Sequence, residues 1–147
     1  MIKAERRAEV TWEGNLARGQ GNLNVGSGAI TNQPITWASR TERADGKTSP
    51  EELIAAAHAG CYAMSLSNTL SSAGKTPDRL IVSAVSTFEQ VEGGFKISEI
   101  QLNVRAKVAG LDNDSFQQAV QKAEQGCPVS NALRNNVAIH VNAQLEA

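Results

Sequence analysis

The stretch Ser49 to Met64, SPEELIAAAHAGCYAM, is a helix start followed by small and apolar residues. Ser49 can cap, Pro50 suits the first helical position, and Glu52 stands three after the cap to close a capping box. The helix is predicted to run on through Leu53, Ala57, Met64 and Leu70 until Gly74 and Pro77 stop it, roughly 24 residues or about 36 Å. The uncharged run from Leu53 to Gly74 raises the question of a membrane span. Ala, Ser, Asn, Thr, Gly and one His dilute its large apolar residues, however, so it reads as a helix buried in protein.

Outward from this helix, the N-terminal third reads as short strands and turns. Val10-Thr11-Trp12 and Leu23-Asn24-Val25 are extended pieces between Gly14, Gly19 and Gly21, and Ile30 to Ala38 forms another, broken near Pro34. Thr41 to Thr48 is a charged loop. Beyond the helix, Ile81 to Val91 is a strand, Glu92-Gly93-Gly94 a turn, and Ile100, Leu102, Val104, Ala106 and Val108 alternate with polar residues, giving a hairpin with one wet face. A second helix spans about Asp114 to Gln125 with Gly126 as its stop, and Pro128 to Arg134 is a further helical turn or two. In the last strand Val137, Ile139, Val141, Ala143 and Leu145 oppose Asn136, Ala138, His140, Asn142 and Gln144. Strand runs and helix runs are segregated, which predicts an α+β domain with antiparallel sheet.

The 147 residues suit a single domain, 1–147, with a real core. Acidic and basic side chains nearly cancel to a net charge of −1, and the basic ones are scattered, so no stripe could follow a phosphate backbone and nucleic acid is not an expected partner. The first residues, MIKAERRAEV, lack the apolar core of a signal peptide, so a cytoplasmic location is expected. In that reducing compartment a permanent structural disulfide is not expected, while a transient or catalytic one stays open.

Cys61 could be a small hydrophobe filling a tight helix contact. His58, three residues earlier on the same face, places an imidazole where it could instead stabilise a thiolate. Cys127 sits in Gly126-Cys127-Pro128, at one helix end and in the cap position of the next, where free N–H groups and a helix dipole lower a thiol pKa; the other reading is a plain turn cysteine. No second Cys or His pair has zinc-finger spacing.

PEELIAAAHAGC, then GCPVS near the C-terminus, with WEGNLARGQG ahead of both, resembles the family of osmotically inducible protein C and the organic hydroperoxide resistance proteins over nearly the full chain. The AAHA lead into the cysteine is closer to the osmotically inducible branch. The resemblance implies a thiol peroxidase that reduces organic hydroperoxides, built as an intertwined homodimer with a strongly curved antiparallel sheet around long central helices. It implies Cys61 as the peroxidatic and Cys127 as the resolving cysteine, with Glu51 orienting an arginine: Arg40 by the pattern of the osmotically inducible branch, Arg18 by that of the other. An external dithiol, of lipoyl-protein type, is the implied reductant, and no metal or organic cofactor is called for.

Helix geometry adds a constraint of its own. Glu51 lies about 15 Å before Cys61 on a straight helix, so either the helix breaks or the carboxylate serves a thiol in a partner chain. Apart from the family, Glu51 and Glu52 complement the helix dipole. Met64, Phe88, Phe95 and Phe116 are candidates for the wall of a site, or plain core. Two rival functions stay open: a cysteine hydrolase using Cys61 with His58 or His140, and a non-enzymatic small-molecule-binding dimer.

Overall fold

The computed structural model describes all 147 residues, and the chain divides into two compact units, Met1–Leu53 and Ile54–Ala147. In the first, β1 (Ala8–Glu13) pairs antiparallel with β2 (Gln20–Val25), and β2 with β3 (Gln33–Ile35). The expected strand from Ile30 to Ala38 is thus cut to three residues. A short helix, α1 (Trp37–Thr41), follows, because Thr36 and Ser39 cap each other reciprocally, each accepting the other's backbone N–H.

The long helix α2 (Pro50–Ser72) is one uninterrupted element, starting where Ser49 and Pro50 require. Ser49 Oγ accepts the Glu52 N–H at 3.2 Å. The Glu52 carboxylate accepts the Thr48 hydroxyl at 3.0 Å, so this side of the expected capping box goes to Thr48. The inward face is a single column. His58, Tyr62, Leu66 and Leu70, spaced by four, are buried, whereas Met64 is exposed. Apolar residues lie all round this helix, and only the i, i+4 column with large side chains fills the core.

In the second unit β4 (Arg79–Val91) and β5 (Gly94–Lys107) form the expected hairpin, turning at Glu92-Gly93 with Gly93 at φ 88°. Helix α3 (Asn113–Gly126) and α4 (Pro128–Leu133) then lead to β6 (Ala138–Leu145). The antiparallel pairing expected holds for β1 to β5, and β6 adds a parallel strand beside β5. Alternation in β6 is the same for either direction. What fixes the direction is the crossover through α3 and α4, the kind of connection a parallel neighbour needs.

Ile100, Leu102, Val104 and Ala106 of β5 are the predicted inward set and are almost fully buried. They form one core with Tyr62, Leu66 and Leu70 of α2 and Phe116, Val120 and Ala123 of α3. Removing one large member, as in Leu66→Ala, costs about 2–5 kcal/mol. Of the four candidate wall residues, Phe116 is core; Phe88 and Phe95 stack on each other at 5.3 Å out on the hairpin. No helix is long and apolar enough to cross a membrane.

Candidate active site

Beside the buried column of α2 runs a second one, Cys61 and Ser65, and both reach toward α3 and α4. Tyr62 Oη donates to the Val120 carbonyl at 2.9 Å and Ser65 Oγ to the Ala123 carbonyl at 2.8 Å. These bonds hold the end of α3 against the middle of α2. There the chain turns at Cys127, which is the C-cap of α3 and the N-cap of α4, with Pro128 opening α4. The expected placement of Cys127, at the end of one helix and the cap of the next, holds.

The turn delivers the Cys127 thiol to 3.3 Å from Cys61 Sγ, across 66 residues of sequence. Both cysteines are free; Cys127 is completely buried and Cys61 half-buried. Burial pushes the Cys61 pKa up, and the Cys127 thiol beside it adds to the rise; the Val129 N–H, at the start of α4, donates to the sulfur and pulls the other way. The pull of the α4 N-terminus thus falls on Cys61, where sequence reasoning placed it at Cys127, and burial outweighs it.

His58 makes no hydrogen bond to that sulfur. Its Nε2 lies 2.7 Å from Ser130 Oγ, with both residues fully buried and Nδ1 without a partner. Burial pushes its pKa down, the Glu124 carboxylate partly opposing, which favours the neutral ring. Ser130 was missed in the sequence, although it closes the GCPVS motif. His140, the other candidate base, lies on the exposed side of β6, 3.6 Å from Glu99.

In the first unit, α1 carries Arg40 to Glu51. Nε donates to Oε1 at 2.9 Å and to Oε2 at 3.2 Å, while Nη2 lies 2.8 Å from Oε1. The Trp37 ring lies beneath the guanidinium, 5.8 Å away at its centroid. Arg18 is exposed, and its backbone N–H donates to Asn15 Oδ1 at 2.8 Å. Of the two candidate arginines, Arg40 is the one brought to Glu51. Next to it is a small cavity of about 80 Å³ lined by Trp12, Leu16, Ile35, Thr36, Trp37, Pro50 and Arg40 itself. No three His, Cys, Asp or Glu side chains cluster as a metal site.

Fold and site define an α+β protein with a paired-thiol centre. The OsmC-like protein family matches residues 43–142, and the chain belongs to that family. It is 39% identical over 134 residues to Peroxiredoxin OsmC of Escherichia coli (strain K12), covering 91% of this chain and 93% of that one. Organic hydroperoxide resistance protein OhrB of Bacillus subtilis (strain 168) is 32% identical over 133 residues, 90% of this chain and 93% of that one. The crystal structure of Bacillus subtilis OhrB has a TM-score of 0.72 at 26% identity, covering 94% of this chain and 98% of its own. An organic hydroperoxide resistance protein from Elizabethkingia anophelis shares the fold, with a TM-score of 0.75 at 24% identity and coverage of 99% and 100%.

Proposed function

We propose that this chain is a peroxiredoxin-like enzyme that reduces organic hydroperoxides through Cys61 and Cys127. The observation that carries the reading is the 3.3 Å contact between the two sulfurs. The Cys61 thiolate attacks the outer oxygen of the O–O bond; that bond breaks, the alkoxide leaves and takes a proton, and Cys61 becomes a sulfenic acid. Cys127 then attacks the sulfenic sulfur, water leaves, and a disulfide joins the two residues. An external dithiol, of lipoyl type, returns both thiols and is itself oxidised to a disulfide.

The first step needs a cation. A thiol with pKa ~8.5 is about 3% thiolate at pH 7, whereas one at ~6 is about 90% thiolate. Burial moves Cys61 the wrong way, so the Val129 N–H needs help. Arg40, oriented by Glu51, is our choice for it and for stabilising the leaving alkoxide. Glu51 and Cys61 lie on one unbroken helix, about 15 Å apart along it. We therefore assign the Arg40–Glu51 pair to the Cys61 of a second copy, in a homodimer. The exposed side of α2, with Ala57, Gly60 and Met64, supports close approach of such a copy.

The cavity beside Arg40, with two tryptophan walls, supports an organic substituent on the substrate, since hydrogen peroxide offers no apolar surface to bury. The family match spans the junction of the two compact units, which supports treating residues 1–147 as one functional domain. Dependence on a dithiol reductant suits the cytoplasm.

The test is a thiol titration before and after one equivalent of cumene hydroperoxide, on the native chain, Cys61→Ser and Cys127→Ser. The native chain should lose two thiols, and a trappable sulfenate should persist in Cys127→Ser alone. Unchanged thiol counts would leave a binding protein, while acyl-enzyme formation on activated esters that survives Cys127→Ser would indicate a cysteine hydrolase.

A further inference from the structure

The hydrogen bond between His58 and Ser130 has no part in the two steps above, yet it joins α2 to α4 next to both sulfurs. Ser130 is the third residue of α4, three after Cys127. Fixing its Oγ fixes the turn that presents both the Val129 N–H and the Cys127 thiol to Cys61. Cys127 makes no capping hydrogen bond that would anchor it from its own side chain. Because His58 Nδ1 has no partner, the ring is held by the Nε2 bond at 2.7 Å. With both residues fully buried, losing either end leaves a polar group without water or a partner, so the bond stays made. On the far side of the corner Arg134 donates to the Glu124 carbonyl at 3.0 Å and pairs with its carboxylate, tying the end of α4 back to α3.

We propose that His58 and Ser130 are positioning residues: their hydrogen bond pins the first turn of α4 so that Cys127 condenses with the Cys61 sulfenic acid before a second hydroperoxide reaches it. The inference rests on the two-thiol cycle. In the condensation an S–S bond forms, the S–O bond breaks, and the hydroxyl leaves with the Cys127 proton as water. In the competing reaction the sulfenate takes an oxygen from a second hydroperoxide, giving sulfinate and an alcohol. The first reaction is intramolecular and the second bimolecular, so the outcome depends on how well the thiol is placed. A misplacement of about 1 Å costs up to about a hundredfold in such a step.

The experiment follows sulfenate, disulfide and sulfinate on Cys61 by quenched mass spectrometry over a range of cumene hydroperoxide, in the native chain, Ser130→Ala, His58→Leu and His58→Gln. In Ser130→Ala and His58→Leu the sulfenate should live about tenfold longer, and sulfinate should appear at about tenfold less hydroperoxide. His58→Gln, which keeps a polar group near the place of Nε2, should restore most of the native partition, and a chain carrying both Ser130→Ala and His58→Leu should be no slower than either single variant. A sulfenate lifetime in Ser130→Ala within about twofold of native, whatever the melting temperature does, would overturn the proposal. Should that variant not fold, His58→Leu is read by the same criterion. A native chain that forms no disulfide defeats the two-thiol cycle itself, a result distinct from a native chain and variants that condense equally fast.

Discussion

Arg40 grips Glu51 with two nitrogens, Nε on both carboxylate oxygens and Nη2 on Oε1, and the carboxylate is almost fully buried. A carboxylate so held fixes the guanidinium in direction as well as place. Arg40→Ala should lower hydroperoxide turnover about a hundredfold, the usual loss when one donor to a developing oxyanion is removed. Arg18→Ala should leave turnover unchanged. In a Cys127→Ser background, Arg40→Ala should also move the thiolate titration of Cys61 to higher pH, because what then remains is burial raising the pKa and the Val129 N–H lowering it. Loss of turnover at Arg18 instead would transfer the role. The orphaned Glu51 should cost stability as well, about 1–2 kcal/mol given that Arg40 is about a third exposed.

His58 makes stability depend on pH. Its folded pKa lies below the ordinary value of 6.5, so the unfolded chain takes up a proton that the folded one refuses. The stability this represents is complete above pH 6.5 and is lost as the pH falls below that toward the folded pKa. Urea denaturation at pH 7.5 and at pH 5.5 should show the native chain weaker at the lower pH. His58→Gln, which does not titrate, should remove much of that difference. An equal pH effect in both proteins would mean that the ring accepts its proton in the folded state.

Gly21 leaves room for the walls of the cavity beside Arg40. A Cβ there would lie 2.6 Å from Ile35 Cγ2 and 3.0 Å from Trp12 Cε3, so Gly21→Ala must push both side chains aside. The preference for cumene hydroperoxide over hydrogen peroxide, measured as a ratio of kcat/KM, should fall about threefold or more as apolar contact is lost. A folded variant with an unchanged ratio would place the organic group elsewhere.

What the sequence disclosed, and what it withheld, follows from how far each signal reaches. The start of α2, the alternation of β5 and the corner at Cys127 are written in neighbouring residues, and each was legible. The short helix carrying Arg40 was not, because Ser39 stands where a capping box more often has Glu or Gln. The buried side of α2 was misjudged at Met64, since a helix with apolar residues all round does not say which stripe meets the sheet. The direction of β6 and the partner of His58 depend on the crossover and on a residue 72 positions away, distances that no local pattern spans.

The contact between Cys61 and Cys127 also has a topological result. A bond there closes a covalent ring that holds the second half of α2, β4, β5 and α3, with the rest of the chain as two tails. Closing a loop of that size restricts the unfolded chain enough to favour the native one by up to about 4 kcal/mol. Unfolded in detergent without reductant, the ringed molecule is smaller than the linear one and migrates faster through a gel, so its mobility alone reports whether the cycle has stopped at the disulfide.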